Sequence, residues 1–249
     1  MDTEERRRFA QVSHEYLLEQ LQYTGEESVS GVQQKLKLNF NHPTKELIWV
    51  VQLDSVTDPT QSAAYGGAQW FNYTDAFDTT YNNLESFPYI SVSGASVIPS
   101  VQYTNATTGA TGTINTNALT GAPAAASDIV AIIPYEQAGA NPVSVAKLQL
   151  NGHDRFSERT GDYFNWVQPY QHHENVPAVG INVYSFALKP EEHQPSGSCN
   201  FSRIDNATLQ MTLSNAYRAS GVTGEFRIYA INYNVLRIMS GMGGLAYSN

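Results

Sequence analysis

The clearest indication of the fold is the segment GINVYSFALKPEEHQPSGSCNFSRIDNATLQMTL, residues Gly180 to Leu213. Two β-like runs, Ile181–Leu188 and Ala207–Leu213, flank a polar segment rich in Pro, Gly and Ser. In the second run apolar residues alternate strictly with Thr and Gln, which is the pattern of a strand with one buried face. The first run is apolar at nearly every position, which predicts a strand covered on both faces. A buried strand beside a one-sided strand is typical of the interior of a β-sandwich.

Further runs of strand character lie on both sides of this stretch. They are Val32–Phe40, Glu46–Leu53, Ile129–Ile133, Val143–Leu150 and Glu225–Ile238, with weaker signals at Tyr89–Val92 and Val97–Gln102. Asn151-Gly152 follows one of these runs and predicts a tight turn. About eight strands with two long excursions between them predict an all-β fold, an antiparallel eight-stranded jelly-roll sandwich.

The segments outside the strands predict one helix and long inserted loops. Thr3–Gln22 predicts an N-terminal helix, because Asp2 or Thr3 can cap it and one face carries an apolar stripe of Phe9, Val12, Tyr16, Leu17 and Leu21. Loop excursions are predicted over about residues 54–128, and Ile90–Ser127 contains no charged residue. Arg155–Val167 predicts a helical turn followed by an aromatic strand, and the chain end from Met239 predicts a flexible or extended segment.

The composition argues against several classes of protein. The 249 residues carry a formal net charge of −9 and 15% charged residues, below the roughly 25% of ordinary soluble domains. With Arg6-Arg7-Arg8 as its one basic run, the chain is not expected to bind nucleic acid directly. The sequence shows neither a signal peptide nor a run near the ~20 apolar residues of a membrane span. A protein without a transmembrane segment that is cytosolic, or assembled in the cytosol, is therefore predicted, and the single Cys199 excludes an internal disulfide.

The sequence shows no catalytic constellation. His172-His173-Glu174 lacks the H-E-x-x-H spacing of a helical metal site, and adjacent histidines in a strand point to opposite faces. Glu191-Glu192 lies in a Pro-flanked turn, where solvent exposure is the simpler interpretation. Cys199 lies in a Gly-Ser turn without an evident partner, which favours a structural role over a nucleophilic one. The sequence therefore predicts no enzyme, no metal and no cofactor.

Four N-x-S/T triplets are candidate glycosylation sites, at Asn72, Asn105, Asn200 and Asn206. The alternative interpretation is composition, because a chain rich in Thr, Asn and Ser forms such triplets by chance. Without a signal peptide the secretory route of glycosylation would not reach them.

Four blocks of the sequence resemble one protein family. In chain order they are Asp2–Gln22, Leu38–Gln52, Gly197–Leu213 and Ile228–Asn249. Together they look like the major capsid protein of the nucleocytoplasmic large DNA viruses, with the phycodnavirus and iridovirus type closest. The resemblance implies two consecutive jelly rolls, of which this chain is the C-terminal part. Residues 1–30 would be a connecting helix or linker after the first jelly roll, and residues 31–249 would be the second.

The resemblance also implies a function. Members of the family form homotrimers of pseudo-hexagonal outline, the capsomers, which tile an icosahedral shell. For this chain it implies a structural role in the capsid of the virion, beside neighbouring capsomers and minor capsid proteins, with assembly in the host cytoplasm. It implies no active site and no direct contact with nucleic acid.

Two other functions stay open from the residues alone. A carbohydrate-binding jelly-roll module would use exposed aromatic side chains such as Trp70, Tyr73 and Tyr81 to stack on sugar rings. A jelly-roll enzyme of the cupin type would need clustered His and Glu side chains facing into the barrel, for which His172-His173 is a poor start.

Overall fold

The computed structural model describes residues 2–57, 70–75, 101–105, 111–114, 129–131, 139–218 and 221–247. Two antiparallel sheets, A and B, form the main body. Sheet A runs in the order β1 (His14–Ser30), β13 (Thr223–Met239), β3 (Pro43–Leu53) and β10 (Asn182–Ser185), with β11 (Cys199–Asn200) beside β3 and β14 (Met242–Leu245) beside β13. Sheet B runs in the order β2 (Gln33–Leu38), β12 (Ala207–Leu213), β7 (Val143–Leu150) and β8 (His153–Asp154), with β9 (Arg159–Thr160) also on β7.

Smaller elements connect and cover the two sheets. The strands β4 (Val101–Asn105), β5 (Thr111–Ile114) and β6 (Ile129–Ala131) form a third sheet in the order β5-β4-β6. The α-helices are α1 (Thr3–Gln11), α2 (Asp54–Thr57) and α3 (Gln168–His172), and a π-helical turn, Tyr163–Val167, comes directly before α3. Two 3-10 turns span Phe201–Arg203 and Asn215–Arg218.

The strand pairing is that of a long hairpin rolled into a sandwich. β1 pairs with β13, β2 with β12, β3 with β10, and β7 with both β8 and β9. The pairs are nested, from the outermost strands of the chain inward, and they alternate between sheets A and B. This nesting is the jelly-roll topology, so the predicted antiparallel jelly-roll sandwich is confirmed. The described residues contain fourteen strands, so the predicted count of eight is not confirmed.

The hydrophobic core lies between sheets A and B. Its largest fully buried side chains include Trp49, Phe164, Tyr217 and Phe226. The alternation predicted for β12 is confirmed, because buried and half-buried residues alternate along the whole strand. Leu209 lies at the centre of this pattern, in register with Leu36 on one side and Leu148 on the other. Burying one such leucine contributes about 1.5–3 kcal/mol to stability.

The N-terminal helix is shorter than predicted. A capping box between Asp2 and Glu5 begins α1, which ends at Gln11. His14–Ser30 is not helical but forms β1, which pairs with β13 along nearly its whole length. The prediction of a helix to Gln22 is wrong because pairing with a long neighbouring strand outweighs the local spacing of apolar residues.

The predicted apolar stripe of the helix is divided between two elements. Phe9 lies on α1, and Tyr16, Leu17 and Leu21 lie on β1, where they are exposed. The role of residues 1–30 as a connection after another jelly roll stays a prediction.

The segment Arg155–Val167 also differs from its prediction. The strand β9 comes first, and residues 161–172 are helical. The order predicted from sequence, a helical turn and then an aromatic strand, is therefore wrong. Phe164 explains the difference, because it enters the core from the helical segment and its ring centroid lies 5.1 Å from that of Trp49.

The remaining predictions are confirmed in part. β10 is buried at every position, as expected for a strand covered on both faces. Asn151 and Gly152 both have positive φ, 51° and 83°, as the predicted tight turn requires. β4 overlaps the weak signal at Val97–Gln102, whereas Tyr89–Val92 lies outside the described residues.

Candidate assembly surfaces

Sheet A continues beyond the sandwich as a three-stranded extension. β3 pairs with β13 only over residues Gly224 to Asn232 of β13. Beyond Asn232, β13 pairs with β1 on one side and with β14 on the other. We call residues 14–21, 231–239 and 242–245 the sheet extension. The register pairs Leu17 with Val235, Leu21 with Ile231 and Met239 with Met242. Since paired residues share a face, these six side chains form an apolar row, which the pair Glu19 and Tyr233 and the ion pair of Glu15 with Arg237 interrupt. Within it Leu21 is 62% and Met242 75% exposed.

The tip of the extension is built by local turn chemistry. Ser240 and Gly241 have φ values of 52° and 78°. Positive φ at both central residues is what a two-residue hairpin turn requires if it is to match the right-handed twist of its strands. Asn234 holds the segment after β14 in place. Its Nδ2 donates to the carbonyl oxygen of Tyr247 at 2.9 Å, and its Oδ1 accepts from the Tyr247 amide at 3.2 Å. The same Nδ2 donates to Gln20 Oε1 at 2.9 Å. The chain end predicted as flexible or extended is thus, up to Tyr247, extended and held by hydrogen bonds.

A second exposed apolar group lies on the helical segment of residues 161–172. Trp166 and Tyr170 are one helical turn apart and are 50% and 82% exposed, with Val167 between them. We call these three residues the helical surface. The opposite side of the segment is fixed, because Asn165 is fully buried and its Nδ2 donates to the carbonyl oxygens of Ala178 and Ile181.

The segment of residues 70–75 covers part of the outer face of sheet A. Gln52 Nε2 donates to the carbonyl oxygens of Trp70 and Asn72. A Cβ atom on Gly180 would lie 1.8 Å from the carbonyl oxygen of Tyr73, so only glycine permits this close approach. Of the aromatic side chains considered for sugar stacking, Trp70 is exposed and Tyr73 is half-buried, and Tyr81 lies outside the described residues. A sugar-binding platform therefore stays a prediction.

Charged contacts gather on the outer face of sheet A where β3 has a bulge. The register with β13 shifts between Ile231 and Asn232, which leaves Lys45 as the extra residue of β3. Lys45 Nζ lies 2.7 Å from Glu19 Oε1 and donates to the carbonyl oxygen of Pro190 at 2.6 Å. The next residue, Glu46, is a buried carboxylate that contacts His173. We call Glu19, Lys45, Glu46, His173 and Glu191 the ionic cluster.

The two adjacent histidines lie at the end of α3 and not in a strand. His172 Nδ1 lies 2.9 Å from the carbonyl oxygen of Leu188, and His173 lies between the carboxylates of Glu46 and Glu191. The two rings thus make separate contacts, although the strand assumed in the prediction is wrong. Among the described residues, no group of three or more His, Cys, Asp or Glu side chains is placed to hold a metal ion.

The candidate glycosylation sites have different surroundings. Asn200 and Asn206 are exposed, and Asn200 Oδ1 caps a 3-10 turn by accepting from the Ser202 amide. Asn72 is half-buried and its Oδ1 accepts from both the amide and the hydroxyl of Thr74. Asn105 is the last residue of β4.

Cys199 and the run Arg6-Arg7-Arg8 were the remaining residues singled out from the sequence. Cys199 lies half-buried in β11, where burial raises the pKa of its thiol and makes the thiolate less available. Arg6, Arg7 and Arg8 are exposed on α1.

Sequence reasoning missed the sheet extension and the ionic cluster. The extension depends on His14–Ser30 being a strand. The register of this strand with β13 shifts between Tyr23 and Glu26, so no single alternation runs through its whole length. The ionic cluster joins residues far apart in the chain, and its Lys45 donates to the carbonyl oxygen of Pro190, 145 positions away. No local pattern indicates such a contact.

Comparison with known proteins identifies the family. Residues 5–244 match the family described as large eukaryotic DNA virus major capsid protein. The chain belongs to this family. All of the chain matches the major capsid protein of Phaeocystis pouchetii virus at 55% identity and that of Paramecium bursaria Chlorella virus 1 at 42% identity, covering 51% and 52% of those proteins.

A solved structure of the family has the same fold. The match to the structure of the PBCV-1 virus capsid has 37% sequence identity and a TM-score of 0.59. It covers 100% of this chain and 55% of the chain in that structure. The chain therefore spans about half the length of the relatives that it matches. No helix in the described residues is long and apolar enough to cross a membrane.

Proposed function

We propose that this chain is the C-terminal jelly roll of a structural major capsid subunit from a large double-stranded DNA virus. The observation that carries the proposal is the 55% identity with the Phaeocystis pouchetii virus major capsid protein over the full chain. The nested strand pairs of sheets A and B support it, since a shell subunit needs a rigid sandwich and no active site. The proposed role is structural, without catalysis or a cofactor.

The assembled state that we propose is a homotrimeric capsomer of pseudo-hexagonal outline in an icosahedral capsid. The sheet extension and the helical surface support this proposal, because both offer exposed apolar side chains that a partner would cover. The subunit would contact neighbouring capsomers and minor capsid proteins, and assembly would take place in the host cytoplasm. The net charge of −9 disfavours direct contact with the packaged nucleic acid.

Glycosylation of this subunit is a further part of the proposal. Asn200 and Asn206 are the best candidates, because both side chains are exposed. Asn72 and Asn105 are the remaining candidates.

The native mass of the purified chain tests the proposal. Light scattering over a concentration series should show a species of three times the 27.4 kDa chain mass at high concentration. A parallel series should include the separately expressed N-terminal half of the Phaeocystis pouchetii virus protein. This half supplies the portion of that relative that the present chain does not match. A chain that stays at 27.4 kDa in both series would contradict the proposed capsomer.

A further inference from the structure

The buried carboxylate of Glu46 has an ion partner that comes from outside the sheet. Glu46 is 4% exposed, and its Oε2 lies 3.0 Å from Nε2 of His173. The other ring nitrogen of His173, Nδ1, lies 3.1 Å from Oε1 of Glu191. One imidazole thus bridges a buried carboxylate on β3 and a more exposed carboxylate on the loop after β10.

This bridge requires a particular protonation state of the ring. A neutral imidazole has one N–H donor, and its other nitrogen presents a lone pair. Glu46 Oε2 and His173 Nε2 lie within ion-pair distance but are not aligned as a hydrogen bond, so their attraction requires the charged ring, in which both nitrogens carry a proton. A neutral His173 would leave one carboxylate facing a lone pair, and the buried Glu46 charge would lose its counter-charge.

Glu191 connects the bridge to a loop. Its Oε2 accepts from the backbone amide of Glu174 at 2.9 Å, next to His173 in the chain. The loop of residues 186–198 is also attached through Pro190, whose carbonyl oxygen accepts from Lys45, and through Leu188, whose carbonyl oxygen lies near His172. Of these three attachments, only the carboxylate of Glu191 forms an ion pair with a histidine ring.

We propose that His173 is a pH-dependent clamp that holds the 186–198 loop against sheet A while its ring is charged and loosens the loop when the ring loses a proton. The proposal does not depend on the capsid function.

The electrostatic surroundings agree with this geometry. The contact with Glu46 is the largest cause that raises the pKa of His173 above its usual value, burial of the ring opposes it, and Glu191 raises it further. The amide of Glu174 first, and then His173 and Lys45, lower the pKa of Glu191. A raised His pKa means that the contribution to stability is complete below the unfolded pKa of about 6.5 and is lost as pH rises through the folded pKa.

Every element packed around His173 brings charged or titratable groups. Those groups are Lys45 and Glu46 on β3, Glu19 on β1, Tyr233 on β13, His172 and Glu174 beside it in the chain, and Lys189, Glu191, Glu192 and His193 on the loop. Lys45 is paired with Glu19, and Lys189 with Glu192 at 2.8 Å. The two carboxylates that contact the ring itself are therefore Glu46 and Glu191.

The test measures His173 titration and loop protection in the full 249-residue chain. The imidazole carbon protons are followed by NMR from pH 5 to 9, with H173Q assigning the signal. Backbone hydrogen exchange of residues 186–198 is followed over the same range and corrected for intrinsic rates. We expect His173 to titrate above its ordinary value and the loop to exchange roughly twofold to tenfold faster above that pH, the size of one partly exposed charged contact.

Three variants separate the clamp from a general loss of structure. H173Q should exchange rapidly in the loop at both ends of the pH range. E191Q changes only the exposed arm, so it should lower the His173 pKa and free the loop while the fold remains. H172Q removes the contact with the Leu188 carbonyl but no ion pair, so loop exchange should rise by the same factor at every pH and keep the pH dependence of the wild type. Titration of His173 at or below its ordinary value, or loop exchange in E191Q equal to wild type at every pH, would overturn the proposal.

Discussion

At the scale of single residues, Leu209 is a fully buried position on an inner strand of sheet B. Its side chain is 1% exposed and lies between Leu36 and Leu148 on the neighbouring strands. Leu209→Asp would bury a carboxylate without a counter-charge, and we expect it to cost at least about 4 kcal/mol of the free energy of unfolding. Urea denaturation followed by tryptophan fluorescence measures this loss, which is a large fraction of the ~5–15 kcal/mol that stabilises a typical domain.

The neighbouring residue provides a matched control for this substitution. Gln210 points to the other face of β12, where its register partners are Lys35 and Lys147. Gln210→Asp introduces the same carboxylate between two lysines, so we expect a change within about 1 kcal/mol. Equal losses from the two substitutions would mean that the faces of β12 are assigned the wrong way round.

At the scale of secondary-structure elements, β13 is the strand on which sheet A depends. It pairs with β1 on one side and with β3 on the other. Deleting residues Tyr217–Asn249 removes this central strand together with the fully buried Tyr217, so we expect no cooperative thermal transition by circular dichroism. A soluble deletion product that melts cooperatively would contradict this expectation.

A shorter deletion shows that the effect belongs to β13 and not to the chain end. Removing Met242–Asn249 takes away β14, whose residues are all exposed, and the contacts of Asn234 with Tyr247. Losing these hydrogen bonds costs about 1–2 kcal/mol, so we expect a cooperative transition with Tm lowered by roughly 2–8 °C.

At the scale of the whole molecule, the exposed apolar row of the sheet extension can be tested as a subunit contact. Leu21→Lys and Met242→Lys place charges on exposed positions of this row, so folding should be unaffected while association weakens. We expect the association constant from light scattering to fall at least roughly tenfold, with Tm unchanged. Trp166→Lys makes the same test of the helical surface.

The control for these charges is Gln194→Lys, at an exposed loop position outside both surfaces. It adds the same charge to the molecule and should leave association unchanged. If Gln194→Lys weakens association as much as Leu21→Lys does, the effect is one of net charge and the sheet extension is not the contact.

Local sequence was sufficient to predict the strands whose alternation or apolar run is complete. The alternation of Ala207–Leu213, the apolar run around β10 and the Asn151-Gly152 turn each depend on neighbours in the chain, so their structure was predictable. The capping box of α1 was equally local. The family was also recognisable, because long blocks of sequence occur in the same order over the chain.

The choice between helix and strand for residues 14–22 depended on pairing with a strand distant in the chain. Tyr16, Leu17 and Leu21 fit a helical stripe by spacing, but the open edge of β13 offers backbone hydrogen bonds along nearly the whole of β1. The ionic cluster was likewise unpredictable. A bulge at Lys45 and the return of the chain after α3 bring Glu46, His173 and Glu191 together, and such contacts between distant residues depend on register, which no local pattern carries.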